Sequence, residues 1–83
     1  MATVTIYTTA WCPYCIRAKQ LLDSKQVAYT EVNVSEAEAR ANMTSLTGGT
    51  TVPQVVINGL ATGGCDELHA LERSGELDKL LAN

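Results

Sequence analysis

Eighty-three residues, 46% of them hydrophobic, with a net charge of −3 fit one globular domain over residues 1–83, because a second core would not fit. The absence of a basic run or stripe argues against nucleic acid as a partner, and no apolar run is long enough to cross a bilayer. "MATVTIY" lacks the charged and apolar segments of a secretion signal, and three cysteines are too few and too odd for a secreted disulfide scaffold, so the expectation is a soluble, cytoplasmic protein.

Val4–Thr8, "VTIYT", is rich in β-branched residues and predicts a first strand. "CPYCIRAKQLLDSK" from Cys12 predicts a helix, with Pro13 in the first turn, where its missing N–H costs nothing. Ile16, Ala18, Leu21 and Leu22 offer it an apolar side. Val27–Val34 alternates as a second strand. Ser35 and Glu38 match a capping box, opening a helix through "EAEARANMTSLT" that stops at Gly48–Gly49. "QVVI", Gln54–Ile57, predicts a third strand, Asn58–Gly59 a two-residue hairpin turn, and "LAT" a short return strand. After Gly63–Gly64, "CDELHALERS" predicts a helix with acids in its first turn. Gly75 interrupts it, and "ELDKLLAN" closes the chain as a helical segment with Leu77, Leu80 and Leu81 turned inward. The order β-α-β-α-β-β-α implies an α/β fold: a mixed four-stranded sheet with helices on its faces, built on a βαβ unit. With no phenylalanine, its core must rest on Leu, Val, Ile and Ala.

Cys12 and Cys15 stand three apart where the first helix begins. Unpaired N–H groups and the positive end of the helix dipole favour a thiolate at Cys12, lowering its pKa below the ~8.5 of a free cysteine. Cys15, one turn on, can reach back to a disulfide formed on Cys12. Trp11 and Tyr14 flank the pair and can shield it or contact a substrate. C-x-x-C beside a βαβ unit is a redox signature, but zinc knuckles use the same spacing. Cys65 and His69, four apart on a predicted helix, would complete a zinc set of three cysteines and one histidine.

"YTTAWCPYC", "RAKQLL", "TTVPQV" and "GGCDEL", in that order, together with the tail "LERSGELDKLL", resemble the glutaredoxins, specifically the small bacterial dithiol type, over nearly the whole chain. The resemblance implies a thioredoxin-like fold and glutathione-dependent thiol–disulfide exchange. It makes Cys12 the nucleophile and Cys15 the resolving thiol. Tyr14, Thr51, Val52 and Pro53 would line the glutathione groove, with Pro53 cis and the backbone of Val52 pairing with the cysteinyl unit. "GGCD" reads as an anion site. Gly64 lets the backbone approach closely, and the N–H groups of Cys65 and Asp66 would take the γ-glutamyl carboxylate. The Asp66 carboxylate would pair with the ammonium, or cap the helix.

The resemblance further implies no bound prosthetic group. It makes glutathione the co-substrate and disulfide-containing or glutathionylated proteins, ribonucleotide reductase among them, the partners of a monomer. Two alternatives stay open: an electron-carrier redoxin served by a thioredoxin reductase, and a module binding zinc or an iron–sulfur cluster. The likeness breaks at Thr9 and Gly49, where relatives often carry Lys and Arg that hold the glycyl carboxylate. Arg17, Lys19 and Arg40 are the nearby substitutes.

Overall fold

Alternation decides the first element. In the computed structural model, which describes residues 2–82, β1 (Val4–Thr8) buries Val4, Ile6 and Thr8 and leaves Thr5 and Tyr7 half-buried. β2 (Thr30–Asn33) runs parallel to it, with Tyr7 opposite Val32. The chain crosses between them through α1 (Pro13–Ser24), as a parallel pair requires. β3 (Gln54–Ile57) lies antiparallel on the other side of β1, and β4 (Leu60–Gly63) antiparallel to β3. The sheet order is β2-β1-β3-β4. The expected mixed four-stranded sheet is therefore present. α3 (Cys65–Ser74) and α4 (Glu76–Ala82) complete the described chain; Asn83, expected in the last helix, lies outside the described residues.

The core is aliphatic. Val4, Ile6, Val55 and Ile57 of the sheet meet Ala18 and Leu22 of α1, Cys65 and Leu68 of α3 and Leu77 of α4. Leu80 and Leu81 pack against this cluster, half-buried. α2 (Ala37–Thr47) lies against β3 and β4. Its buried Met43 stands apart from the cluster, consistent with a helix on the opposite face of the sheet. Lys25, just past α1, pairs with Glu72 at 2.6 Å and Asp78 at 2.8 Å, tying α1 to α3 and α4. Those two hydrogen-bonded carboxylates, Asp78 foremost, push the Lys25 pKa up. Among the described residues no helix is long and apolar enough to cross a membrane.

Three local expectations need correction. The second strand starts at Thr30 instead of Val27, because Val27 and Tyr29 give their side chains to the core from the connection before it. Ser35 does not cap α2. The Asn33 side chain accepts the Ser35 N–H at 2.9 Å, which delays the helix, and Glu36 becomes an N-cap without a side-chain bond. Ile16 is exposed, because the buried line of α1 runs through Cys15, Ala18 and Leu22.

The hairpin turn follows the expected chemistry. Asn58 and Gly59 have φ of 53° and 81°, the pair of positive values a tight two-residue turn demands. Asn58 also holds the sheet to its surroundings. Its side-chain oxygen accepts the Thr3 N–H at 2.9 Å, its amide donates to the Leu80 carbonyl at 3.2 Å, and its own N–H donates to the Thr3 carbonyl at 2.8 Å. Asn58→Gly keeps the turn and deletes both side-chain bonds. It is expected to cost about 1–2 kcal/mol, read from urea unfolding; stability equal to wild type would show that these bonds contribute nothing.

Candidate active site

Cys12 is the N-cap of α1, in an extended conformation with φ −109° and ψ 102°. Its sulfur accepts the Cys15 N–H at 3.1 Å, and its carbonyl accepts the Ile16 N–H at 3.1 Å. The sulfur thus takes one of the donors that a helix start leaves without a partner, which favours negative charge on it. Cys12 and Cys15 are joined as a disulfide, with Cα atoms 5.2 Å apart. The two thiols differ in access: Cys12 is half-buried, whereas Cys15 is only 2% exposed. An incoming disulfide can meet Cys12, and Cys15 can act only from within the molecule.

Beside Tyr14 opens a groove of about 320 Å³ lined by Tyr14, Thr51, Val52, Pro53, Gly64, Cys65, Asp66 and Glu67. The fold thus gathers into one concavity the seven expected groove residues, which the sequence scatters over three stretches, together with Glu67. The Val52–Pro53 bond is cis. Gly63 and Gly64 allow the start of α3 to close against this loop. Gly63 holds φ 105°, and a Cβ on Gly64 would stand 3.1 Å from the Pro53 carbonyl oxygen, tighter than most side-chain carbons lie, so the loop would have to give way.

Glu67 is the lining residue that sequence reasoning missed. Its carboxylate reaches back to accept the Gly64 N–H at 3.1 Å, half of a capping box whose other half glycine has no side chain to supply. The signal was present: an acid three residues after the break at Gly64. The same geometry makes Gly64 the N-cap, so Asp66 is not the cap. Asp66 lies in the first turn with an exposed side chain, and the N–H groups of Cys65 and Asp66 lie outside the helix's own ladder.

Cys65 is buried against the core. Burial pushes its thiol pKa up, and Arg17 opposes the shift only in part. His69 is half-buried, with Nδ1 2.9 Å from the Cys65 carbonyl oxygen and 3.5 Å from its sulfur. Among the described residues no three His, Cys, Asp or Glu side chains gather closely enough to hold a metal ion. The two cysteine-containing pairs weighed for zinc are therefore not assembled into one ligand set.

The three substitute cations have separate fates. Lys19 pairs with Glu31 at 3.0 Å. The Thr8 hydroxyl donates to the same carboxylate at 2.7 Å, and that bond first, then Lys19, holds the Glu31 pKa down. Arg40 donates through Nε and Nη2 to the Thr50 carbonyl at 3.3 and 3.2 Å, which parks a guanidinium beside groove residue Thr51. Arg17 is exposed and acts electrostatically on Cys65. At position 49 a side chain would run into the Gln54 amide, which is itself donating to the Thr51 carbonyl at 3.0 Å. Gly49 is thus fitted to Gln54.

The glutaredoxin family model matches residues 4–61. A glutaredoxin of Pseudomonas aeruginosa is 57% identical over 83 residues, covering 99% of both chains. Glutaredoxin 3 of Escherichia coli is 50% identical over 82 residues, covering 98% of this chain and 99% of its own. Among solved structures, a buckwheat glutaredoxin–glutathione complex superposes with a TM-score of 0.87 at 30% identity, over 98% of this chain and 77% of that one. Glutaredoxin from Brucella melitensis gives 0.86 at 48% identity, over 98% and 89%.

Proposed function

The chain belongs to the glutaredoxin family and is a thiol–disulfide oxidoreductase of thioredoxin-like fold; on that premise we propose that it reduces protein disulfides and glutathione mixed disulfides, with glutathione bound in the Tyr14–Val52–Asp66 groove. One observation carries this reading. An accessible cysteine at a helix start is backed by a buried one, beside a groove that ends at a second helix start. The buckwheat relative, solved as a glutathione complex, supports the choice of ligand.

In the monothiol route the Cys12 thiolate attacks the glutathionyl sulfur of a mixed disulfide. The protein–glutathione S–S bond breaks, the target leaves as a thiolate, and a Cys12–glutathione bond forms. A second glutathione thiolate attacks that bond, releasing glutathione disulfide and the Cys12 thiolate. In the dithiol route Cys12 attacks a protein disulfide and one target thiolate leaves. Cys15 then attacks the Cys12 sulfur, expelling the second, and two glutathione molecules reduce the Cys12–Cys15 disulfide to dithiol. Within the groove, the backbone of Val52 pairs with the cysteinyl unit, and the first-turn N–H groups of α3 take the γ-glutamyl carboxylate. Asp66 pairs with the adjoining ammonium, and Arg40, held beside Thr51, takes the glycyl carboxylate in place of the cations missing at positions 9 and 49. The protein acts as one domain over residues 1–83, monomeric and cytoplasmic, without a bound prosthetic group.

The deciding assay follows NADPH consumption with glutathione, glutathione reductase and the cysteine–glutathione mixed disulfide. Protein-dependent turnover is expected, and its absence would sink the reading. Reduction of the oxidised protein by thioredoxin reductase but not by glutathione would move it to the electron-carrier alternative. Arg40→Met is expected to raise the apparent KM for the mixed disulfide about tenfold, with kcat changed less than about twofold, since it removes one charged contact from binding. An unchanged KM would remove Arg40 from the groove.

A further inference from the structure

Three exposed apolar side chains crowd around Cys12. Trp11 is 99% exposed and Ile16 51% exposed, and Pro13 between them is exposed as well. On α1, Pro13 and Ile16 are three apart and share a face, turned away from the buried line of Cys15, Ala18 and Leu22. None of the three lines the groove, so the patch borders the nucleophile outside it. Trp11 also holds a φ of 61°, a region bulky L residues rarely occupy. The fold gains no burial from that conformation, which instead sets the indole in solvent beside Cys12.

The start of α1 carries positive charge alone. The first turn of α1 carries no acid, and Arg17 stands exposed next to Ile16. Asp66 and Glu67 line the groove and not the patch, and Glu31 is taken up by Lys19 and the Thr8 hydroxyl. We propose that Trp11, Pro13, Ile16 and Arg17 form the docking surface for the polypeptide around a target cysteine, with Trp11 as the specificity-determining residue. The occupant is an extended segment with an apolar side chain next to its cysteine and an acid close by. This rests on the redox function proposed above.

Continuity with the reacting sulfur is the reason. In the dithiol route the target cysteine is bonded to Cys12, and in the monothiol route it is the leaving sulfur in line with it; in both, its chain neighbours, spaced about 3.3 Å per residue in extended chain, come within reach of the Trp11 side chain. Glutathione occupies the groove, so what reaches Trp11 is the other half of the mixed disulfide. Aromatic anchors of this kind carry a large share of recognition energy at interfaces. A second copy of the chain seated here would instead cover Cys12.

The test compares two peptides as mixed disulfides with glutathione, one with Leu-Cys-Asp at its centre and one with Ser-Cys-Ser. Wild type is expected to favour the first about tenfold in kcat/KM. Trp11→Ser should bring the ratio within about twofold, Trp11→Phe should keep most of it, and turnover of the small cysteine–glutathione disulfide should not change in either. No preference in wild type, or equal slowing of all three substrates by Trp11→Ser, would overturn the proposal. A second measurement is independent of glutathione. Trp11 is the chain's single tryptophan, so Cys15→Ser protein trapped on Cys12 with each peptide reports docking by emission. A shift to shorter wavelength with the Leu peptide alone is expected; no shift with either overturns it. Silence of every substrate in the first assay, with the emission shift present, would instead place the fault in the glutathione reading.

Discussion

Cys12→Ser is expected to lower turnover of every disulfide substrate by more than ~10³-fold, whereas Cys15→Ser keeps turnover of small glutathione mixed disulfides within about threefold of wild type. The difference follows from access and from which atom does what. The Cys12 sulfur forms and breaks the bond to substrate, and a serine hydroxyl is neither ionised at neutral pH nor able to enter disulfide exchange. Cys15 supports Cys12 through its backbone N–H, which donates to the Cys12 sulfur at 3.1 Å and which serine retains. Its thiol is buried and enters only when a mixed disulfide has formed next to it. Reduction of protein disulfides, which needs that second thiol, is therefore expected to fall at least about tenfold in Cys15→Ser. Both variants are read in the glutathione reductase assay, with insulin or a disulfide peptide as the second substrate. Residual activity in Cys12→Ser above about 1% of wild type would assign the nucleophile elsewhere.

Leu22→Ala carries the largest expected loss of stability, about 2–5 kcal/mol, set against a total of roughly 4–12 kcal/mol for a chain of this length. Leu22 is fully buried where α1 meets β1, β3 and α3. The fully buried cluster is aliphatic, and its one neighbouring aromatic ring, Tyr29, packs half-buried at its edge. A short chain also has little surplus burial to absorb the change. Leu46→Ala is the control: it lies in α2, is 69% exposed, and is expected to change stability by less than about 0.5 kcal/mol. Urea unfolding of the two variants decides between them. Equal losses would mean that α1 is not held by its apolar line. Under conditions where Leu22→Ala is folded, its kcat should match wild type, because the Cys12 and Cys15 backbone at the far end of α1 is untouched.

Some of this molecule was determined by residues close together in sequence. β-Branched residues are enough to draw β1 and β3, and in β1 burial follows their alternation, since burial on one face demands period two. Asn58–Gly59 dictates its hairpin because few residues accept two consecutive positive φ values. Cys12 ahead of Pro13 sets a thiol at a helix start, as the geometry of helix termini requires. The errors arose where a local signal met a stronger neighbour. Ser35–Glu38 reads as a capping box, but the Asn33 side chain captures the Ser35 N–H first. Val27 and Tyr29 alternate like a strand, yet the core takes their side chains without pairing their backbone.

The candidate groove needed tertiary structure. "WCPYC", "TTVP" and "GGCDEL" are each legible, but chain spacing cannot say that Tyr14, Val52 and Asp66 face one cavity. That depends on the strand order β2-β1-β3-β4 and on the close approach of Gly64 to Pro53. Glu67 entered the site through a local bond to the Gly64 N–H, once that packing had set Gly64 against Pro53. The fates of the cations were equally invisible in sequence. Lys19 is drawn off by Glu31, and Arg40 is held at Thr50, because flexible charged side chains settle on whichever partners the fold brings near. The sequence by itself determined where the reactive sulfur stands and why it is reactive; packing decided which residues share a groove with it, since contacts between distant segments exist only once the core has closed.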